Sequence, residues 1–211
     1  TMDLKDRVLE IIKRLKKIYP EPKTALNYSN PFELLVATIL SAQTTDVHVN
    51  KVTEKLFKKY KSIKDYADRP LEELQKDISS INFYRNKAKN IQACARIIIE
   101  RFNSNVPKKM EELLTLPGVA RKTANIVLSN AYGINEGIAV DTHVRRLSQR
   151  LGLTKEDDPV KIEQELMKIT PQKEWGNLSH LLIFHGRAIC QAKRPNHKEC
   201  VLFDICPSRS I

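Results

Sequence analysis

Apolar residues recur along most of the chain at the three- and four-residue spacing of amphipathic helices, and no clean segment alternates between apolar and polar positions. The pattern predicts an all-α protein. Ten helices are expected, over residues 3–19, 32–41, 45–60, 70–78, 86–102, 110–116, 121–131, 142–151, 159–169 and 175–190. The connections between them are short and no low-complexity linker appears, so any division into domains must be made by packing.

The second of these helices has the strongest start signal. Asn30 is a favoured N-cap residue, Pro31 occupies the first helical position, and Glu33 is placed to reach back toward the cap. Residues 32–41 are apolar nearly all round, which indicates a central buried helix.

Composition and net charge predict a binding partner and a cellular location. The 211 residues include 36 Lys and Arg against 25 Asp and Glu, a net charge of +11, which favours a polyanionic partner such as nucleic acid. No apolar run reaches the roughly 20 residues that span a bilayer, and the N-terminus lacks the apolar core of a secretory signal. We therefore expect no membrane partner and a location in the cytoplasm, at the nucleoid.

The four cysteines fall into two groups. A reducing compartment argues against disulfides and for metal binding or core packing. Cys94 lies on an apolar helical face with Ile91 and Ile98, and we interpret it as a core residue. Cys190, Cys200 and Cys206 crowd the end of the chain, where metal binding is the stronger interpretation.

The segment Leu116-Pro117-Gly118-Val119-Ala120-Arg121-Lys122-Thr123-Ala124 places a tight turn directly before a helix. The free backbone N–H groups of such a helix start form an anion site, and Gly118 allows a phosphate to approach the main chain. Arg121 and Lys122 add positive charge. Taken alone, the pattern is only moderately specific, because many proteins use such turns structurally.

This segment closely resembles the hairpin of endonuclease III, a bifunctional DNA glycosylase and abasic-site lyase. Ala139-Val140-Asp141-Thr142-His143 is similar to that family's other catalytic segment, and the resemblance extends from Ser41 through Cys206. It implies a two-lobed helix-hairpin-helix DNA glycosylase fold with a C-terminal metal-cluster loop. The implied lobes are residues 22–133, carrying the hairpin, and residues 1–21 plus 134–211, carrying the metal. One departure is Ala120, where the family usually has glycine.

The resemblance implies that Lys122 is the nucleophile and Asp141 the catalytic carboxylate. A lysine attacks only as the neutral amine, and a helix N-terminus beside Arg121 favours that form. The amine would displace the damaged base and leave a Schiff base, from which β-elimination nicks the strand. Asp141 is also a good N-cap, and both roles are compatible. Without the resemblance, Lys122 would be interpreted as a phosphate contact.

Two further elements are implied on the lesion side, since a base inside a duplex must be flipped out before it can react. Gln43 matches the family glutamine that fills the vacated space. Residues 81–88 resemble the family's wedge loop, with Phe83 in place of an aliphatic wedge and Asn82 in place of glycine. The alternative for Phe83 is a core residue. The other DNA contacts expected are Gly118, Ala120, Arg121, Lys193 and Arg194.

The family's cluster pattern is C-x6-C-x2-C-x5-C, and this chain has His197 where the second cysteine belongs, between Cys190 and Cys200. Three arrangements fit: a [4Fe–4S] cluster with a histidine ligand, a cluster held by three thiolates, or a Zn²⁺ site with three cysteines and one histidine. We favour the histidine-ligated cluster, with zinc second and a metal-free tail weaker. His185 is expected to be a core histidine.

The function implied is base-excision repair by a monomer acting on double-stranded DNA that contains damaged bases or abasic sites, with oxidised pyrimidines as the expected lesions. Two alternatives remain at this point. One is a monofunctional mismatch glycosylase, which would use water and normally lack the lysine. The other is a non-catalytic DNA-binding protein with a zinc tail.

Overall fold

A computed structural model describes residues 2–210, and within this range the chain forms α-helices, 3₁₀ turns and loops without any strand. The prediction of an all-α protein is therefore confirmed. None of the helices between residues 2 and 210 is long and apolar enough to cross a membrane. The helices are α1 Leu4–Ile18, α2 Pro31–Leu40, α3 Asp46–Lys59, α4 Ile63–Asp68, α5 Leu71–Asp77, α6 Tyr84–Arg101, α7 Met110–Leu113, α8 Arg121–Tyr132, α9 Thr142–Arg150, α10 Pro159–Ile169 and α11 Trp175–Ala188.

The chain divides into two compact units. One unit is the continuous segment Ala25–Ile134, with α2 to α8. The other is discontinuous and combines the residues up to Thr24 with those from Asn135 onward, so that α1 belongs with α9, α10 and α11.

Helix α2 is the centre of the continuous unit, as its composition predicts. All of its residues from Phe32 to Leu40 are buried except Glu33, and α3, α6 and α8 pack around it. The Asn30 side chain caps the helix by accepting the Glu33 amide at 2.9 Å. Glu33 reaches back one residue further than the cap, to the amide and hydroxyl of Ser29 at 2.8 and 2.6 Å. The backbone amides of Ser29 and Glu33 therefore both have side-chain acceptors.

The discontinuous unit has its own apolar core. Helix α11 packs against α9 and α1, and α10 contacts α1 and α9. The buried side chains of this core come from every helix of the unit: Val8, Ile11, Ile12, Leu15, Ile138, Val140, Val144, Leu147, Leu151, Leu153, Ile162, Leu166, Leu178, Leu181, Leu182 and Leu202.

Two of the predicted helix ends need correction, and one helix is added. Helix α7 ends at Leu113 rather than at residue 116, because Pro117 lacks an N–H and disfavours helical geometry in the residue before it. Helix α11 ends at Ala188 rather than at 190, where the amides of residues 189 and 190 both donate to the His185 carbonyl at 2.9 Å. The short α4 was not predicted. Its signal is the capping box of Ser62 and Asp65.

Candidate active site

The hairpin between α7 and α8 is held from beneath by the core of the continuous unit. Leu116 and Val119 are buried, and the Val119 amide donates to the Leu116 carbonyl at 3.2 Å. Gly118 has a φ of 76°, a left-handed conformation that favours glycine. The Cys94 thiol donates to the Pro117 carbonyl at 3.1 Å, which ties the turn to α6. Cys94 is fully buried as predicted, and burial raises the pKa of its thiol to about 12.

The start of α8 is the part of the hairpin that faces outward. Ala120 is its N-cap, and the methyl side chain of this residue provides no capping hydrogen bond. Lys122 is exposed and Arg121 is half-exposed. Ala120 has a φ of −95°, which any residue adopts, so its alanine in place of glycine introduces no backbone strain. The arrangement presents an exposed amine on a helix start whose partial positive charge attracts anions.

Gln43 and Phe83 lie in two loops of the same unit. Both are exposed and both adopt left-handed conformations, with φ of 56° and 58°. The Phe83 side chain is 66% exposed, which excludes the core interpretation. The Asn82 side-chain amide donates to the Gln43 carbonyl, so the structure brings the two loops together.

Asp141 belongs to the discontinuous unit and is the N-cap of α9. One carboxylate oxygen accepts the Val144 amide at 2.8 Å, and the other accepts from His143 Nδ1 at 3.0 Å. The carboxylate is half-buried, with its two oxygens oriented by these donors. Sequence reasoning missed His143 as a partner, although its position two residues after a capping aspartate was a signal.

The C-terminal tail brings the three thiols together. Cys190, Cys200 and Cys206 are all free and half-buried, and they line a single cavity with His197. Apolar side chains, among them Leu147 and Leu202, complete its wall. Among residues 2–210, no three His, Cys, Asp or Glu side chains are arranged around one point as a single metal ion requires.

Two basic side chains point at these sulfurs. Arg150 approaches Cys190 Sγ at 3.3 Å. The imidazole of His185 lies between the Tyr19 hydroxyl, 3.2 Å from Nδ1, and Cys200 Sγ, 3.3 Å from Nε2. His185 is buried, as expected, and burial lowers its pKa to about 4, so the ring is neutral and donates one proton. Burial raises the thiol pKa of both Cys200 and Cys206.

Arg150 also organises the loop between the first two predicted ligands. Its guanidinium donates to the carbonyls of Gln191 and Ala192 at 2.8 and 3.0 Å. The next two residues, Lys193 and Arg194, are exposed. Sequence reasoning missed Arg150, because a basic residue on the polar side of α9 gives no local signal of a contact 40 residues away.

Comparison with known proteins shows the family of this chain. Residues 36–172 match the model of the HhH-GPD superfamily of base excision DNA repair proteins. Endonuclease III of Synechocystis sp. is 56% identical over 204 residues, which cover 97% of this chain and 93% of the relative. This chain belongs to the endonuclease III family. Endonuclease III of Bacillus subtilis is 50% identical over 194 residues, with 92% and 88% of the two chains covered.

A solved structure of a trapped endonuclease III–DNA covalent intermediate, the estranged-adenine complex, has the same fold. It superposes with a TM-score of 0.92 at 47% identity and covers 98% of this chain and 97% of its own. The expected helix-hairpin-helix glycosylase fold of the endonuclease III family is thus confirmed.

Proposed function

We propose that this protein is a bifunctional DNA glycosylase and abasic-site lyase of base-excision repair. It acts as a monomer on double-stranded nucleoid DNA in the cytoplasm and removes oxidised pyrimidines. The observation that carries the proposal is the exposed Lys122 amine in the first turn of α8, directly after the turn at Gly118. The identity to endonucleases III supports it.

The chemistry starts from the exposed Lys122 amine, which lies beside an anion-binding turn. Lys122 Nζ attacks C1′ of the damaged nucleotide, the C1′–N bond breaks, and the base leaves with the bonding electrons and takes up a proton. Ring opening of the sugar and loss of the amine proton give the Schiff base. The imine acidifies the C2′ proton, and its removal expels the 3′ phosphate by β-elimination.

Asp141 supplies the negative charge in this scheme. Its carboxylate stabilises the positive charge that develops on the sugar and carries protons for Lys122. The hydrogen bonds from Val144 N and His143 Nδ1 hold the carboxylate in one orientation, which is what a proton carrier needs.

The remaining contacts position DNA. Gly118, Ala120 and Arg121 bind the phosphate at the hairpin, and Lys193 and Arg194 neutralise phosphates elsewhere on the duplex. Gln43 fills the space of the flipped nucleotide, and Phe83 wedges between neighbouring bases. An exposed aromatic ring suits this role, since stacking on bases is worth about 1–3 kcal/mol per contact.

A [4Fe–4S] cluster held by Cys190, His197, Cys200 and Cys206 is the proposed cofactor. The donor set fits it: three free thiols and an imidazole line one cavity, with Arg150 donating to the Cys190 sulfur and His185 Nε2 within hydrogen-bond distance of the Cys200 sulfur. The ligands of a cluster bind different irons, whereas those of zinc must converge on one ion. The bound cluster would order a tail that has little apolar content of its own.

Borohydride trapping tests the lyase. The intact protein should form a covalent adduct with abasic-site duplex, and Lys122→Ala should form none because the attacking amine is gone. Lys109→Ala, which removes another exposed lysine of the same unit, should trap normally. Base release without any adduct would identify a monofunctional glycosylase, and binding without either product would identify a non-catalytic protein.

The ligand role of His197 is tested on anaerobically purified protein. Iron analysis should give about four irons per chain with visible absorption. His197→Ala should lose iron or change the spectrum, whereas His197→Cys should keep iron and lower the reduction potential, because imidazole ligands raise it. An unchanged spectrum and metal content in His197→Ala would refute the ligand role, and zinc in place of iron would refute the cluster.

A further inference from the structure

Two neighbouring loops of the continuous unit share an unusual backbone feature. The Gln43 loop, residues 41–45, joins α2 to α3, and the Phe83 loop, residues 79–83, joins α5 to α6. Each presents an exposed, non-glycine residue with a positive φ. Such a conformation costs roughly 1–2 kcal/mol for an L-residue, so the surroundings must hold it.

The contacts that hold these residues run from one loop to the other. Asn82 Nδ2 donates to the Gln43 carbonyl at 2.5 Å. His48, in the first turn of α3, lies with Nε2 3.0 Å from the Ser80 hydroxyl and 3.2 Å from the Ser80 carbonyl. The backbone of Gln43 is therefore attached directly to the residue that precedes Phe83.

Lys87 makes the second connection, from inside the protein. Its side chain is only 6% exposed although it lies in the first turn of α6. The ammonium donates to the carbonyl of Leu40 at 3.0 Å and also to that of Ala42. Leu40 is the last residue of α2, where carbonyls lack helical partners and the helix dipole attracts a cation. Burial lowers the pKa of Lys87.

We propose that Asn82 and Lys87 are positioning residues, which lock the Gln43 and Phe83 loops together so that the gap-filling and wedge side chains meet DNA as one preset pair. The inference rests on the proposed function, since it presumes that Gln43 and Phe83 enter the duplex. Neither Asn82 nor Lys87 touches the reacting atoms in this scheme.

The fixed placement of the Gln43 and Phe83 side chains should contribute most to the reaction in which a stacked base must be forced out of the duplex. Extrusion costs a few kcal/mol for a paired base and less where the base is already missing. Loss of the lock should therefore slow base release from a paired oxidised pyrimidine more than strand cleavage at a preformed abasic site. A merely structural role would slow both reactions alike.

The decisive variant is Asn82→Ala, which removes one surface hydrogen bond at a residue without a positive φ and should fold normally. Base release from duplex with an oxidised pyrimidine should fall about tenfold, as expected for one lost hydrogen bond, and abasic-site cleavage by less than about threefold. Asn86→Ala, at an exposed asparagine in the following turn, should change neither reaction. Equal losses on both substrates, or no loss, would overturn the proposal.

A double-mutant cycle tests whether Asn82 acts through Gln43. In a Gln43→Ala background, Asn82→Ala should add little further loss, and full additivity would overturn the coupling. Intact protein that neither releases bases nor traps on abasic DNA would instead overturn the proposed function.

The connection between the two loops is then still tested on the protein without DNA. Amide hydrogen exchange over residues 41–45 should speed up in Asn82→Ala and Lys87→Met, and stay unchanged in Lys89→Met. Unchanged exchange in Asn82→Ala would overturn it.

Discussion

Gly118 and Gly133 adopt similar left-handed conformations, with φ of 76° and 65°, in very different surroundings. A Cβ at Gly118 would lie 2.7 Å from Asn90 Nδ2 and 3.1 Å from Asn90 Cβ, whereas nothing lies within 4 Å of one at Gly133. The hairpin glycine therefore serves two purposes, its backbone conformation and its close packing on α6. The glycine that ends α8 serves only the first.

Alanine substitutions separate these two purposes. Gly133→Ala should cost about 1 kcal/mol of unfolding free energy, the conformational penalty alone. Gly118→Ala should cost about 1 kcal/mol more in urea unfolding, because the half-buried Asn90 side chain must move away from the added methyl group. Asn90→Ala combined with Gly118→Ala should recover part of that loss. Equal costs for the two single variants would contradict the packing role.

At the scale of elements, the loop at residues 191–194 is held mainly by one side chain of α9. Arg150 donates to the carbonyls of Gln191 and Ala192, and Ser208 Oγ donates to the Arg150 carbonyl at 2.6 Å. Few other hydrogen bonds reach residues 191–194 in the part of the chain that the structure describes, and their side chains are exposed. The segment should therefore open easily when this connection is lost.

Arg150→Ala should make the loop accessible to trypsin after Lys193, since the Arg194–Pro195 bond resists trypsin. The lost hydrogen bonds predict cleavage at least about tenfold faster, measured by mass spectrometry of the fragments during limited digestion. Arg145→Ala is the matched control, because Arg145 is an exposed arginine of the same helix that pairs with Asp157. Equal cleavage of both variants would show that Arg150 does not hold the loop.

At the scale of the whole molecule, the net charge of +11 predicts DNA binding that weakens steeply with salt. Each phosphate neutralised contributes about 0.9 to the slope of log K against log salt concentration. Replacing Lys193 and Arg194 with Gln should therefore reduce the slope by about 2. Lys161 and Lys168, exposed on α10, provide a charge-matched control, and their replacement by Gln should leave the slope nearly unchanged. Equal slopes for both pairs would refute specific phosphate contacts.

Local patterns were sufficient to predict much of this protein from its sequence. The apolar spacing predicted the all-α class and the buried α2, and Asn30 predicted where that helix begins. These features depend on residues within one or two turns of each other, so they are readable along the chain. The turn and helix start of the hairpin are equally local, and the helix-hairpin-helix fold was implied by the resemblance to the endonuclease III family.

The tertiary structure alone decided which polar side chains are buried and which backbone groups they hydrogen-bond. Lys87 occupies the buried face of α6 four residues before Ile91, a spacing that was visible, but its carbonyl partners lie 45 and 47 residues away. The same holds for the contacts of Arg150 with the tail. The family resemblance of their segments predicts roles for Lys122 and Asp141, whereas no local pattern indicates the residues that hold Gln43 beside Phe83. Hydrogen bonds across such separations depend on how helices pack, and the amphipathic pattern specifies only that a face is buried, not against which partner.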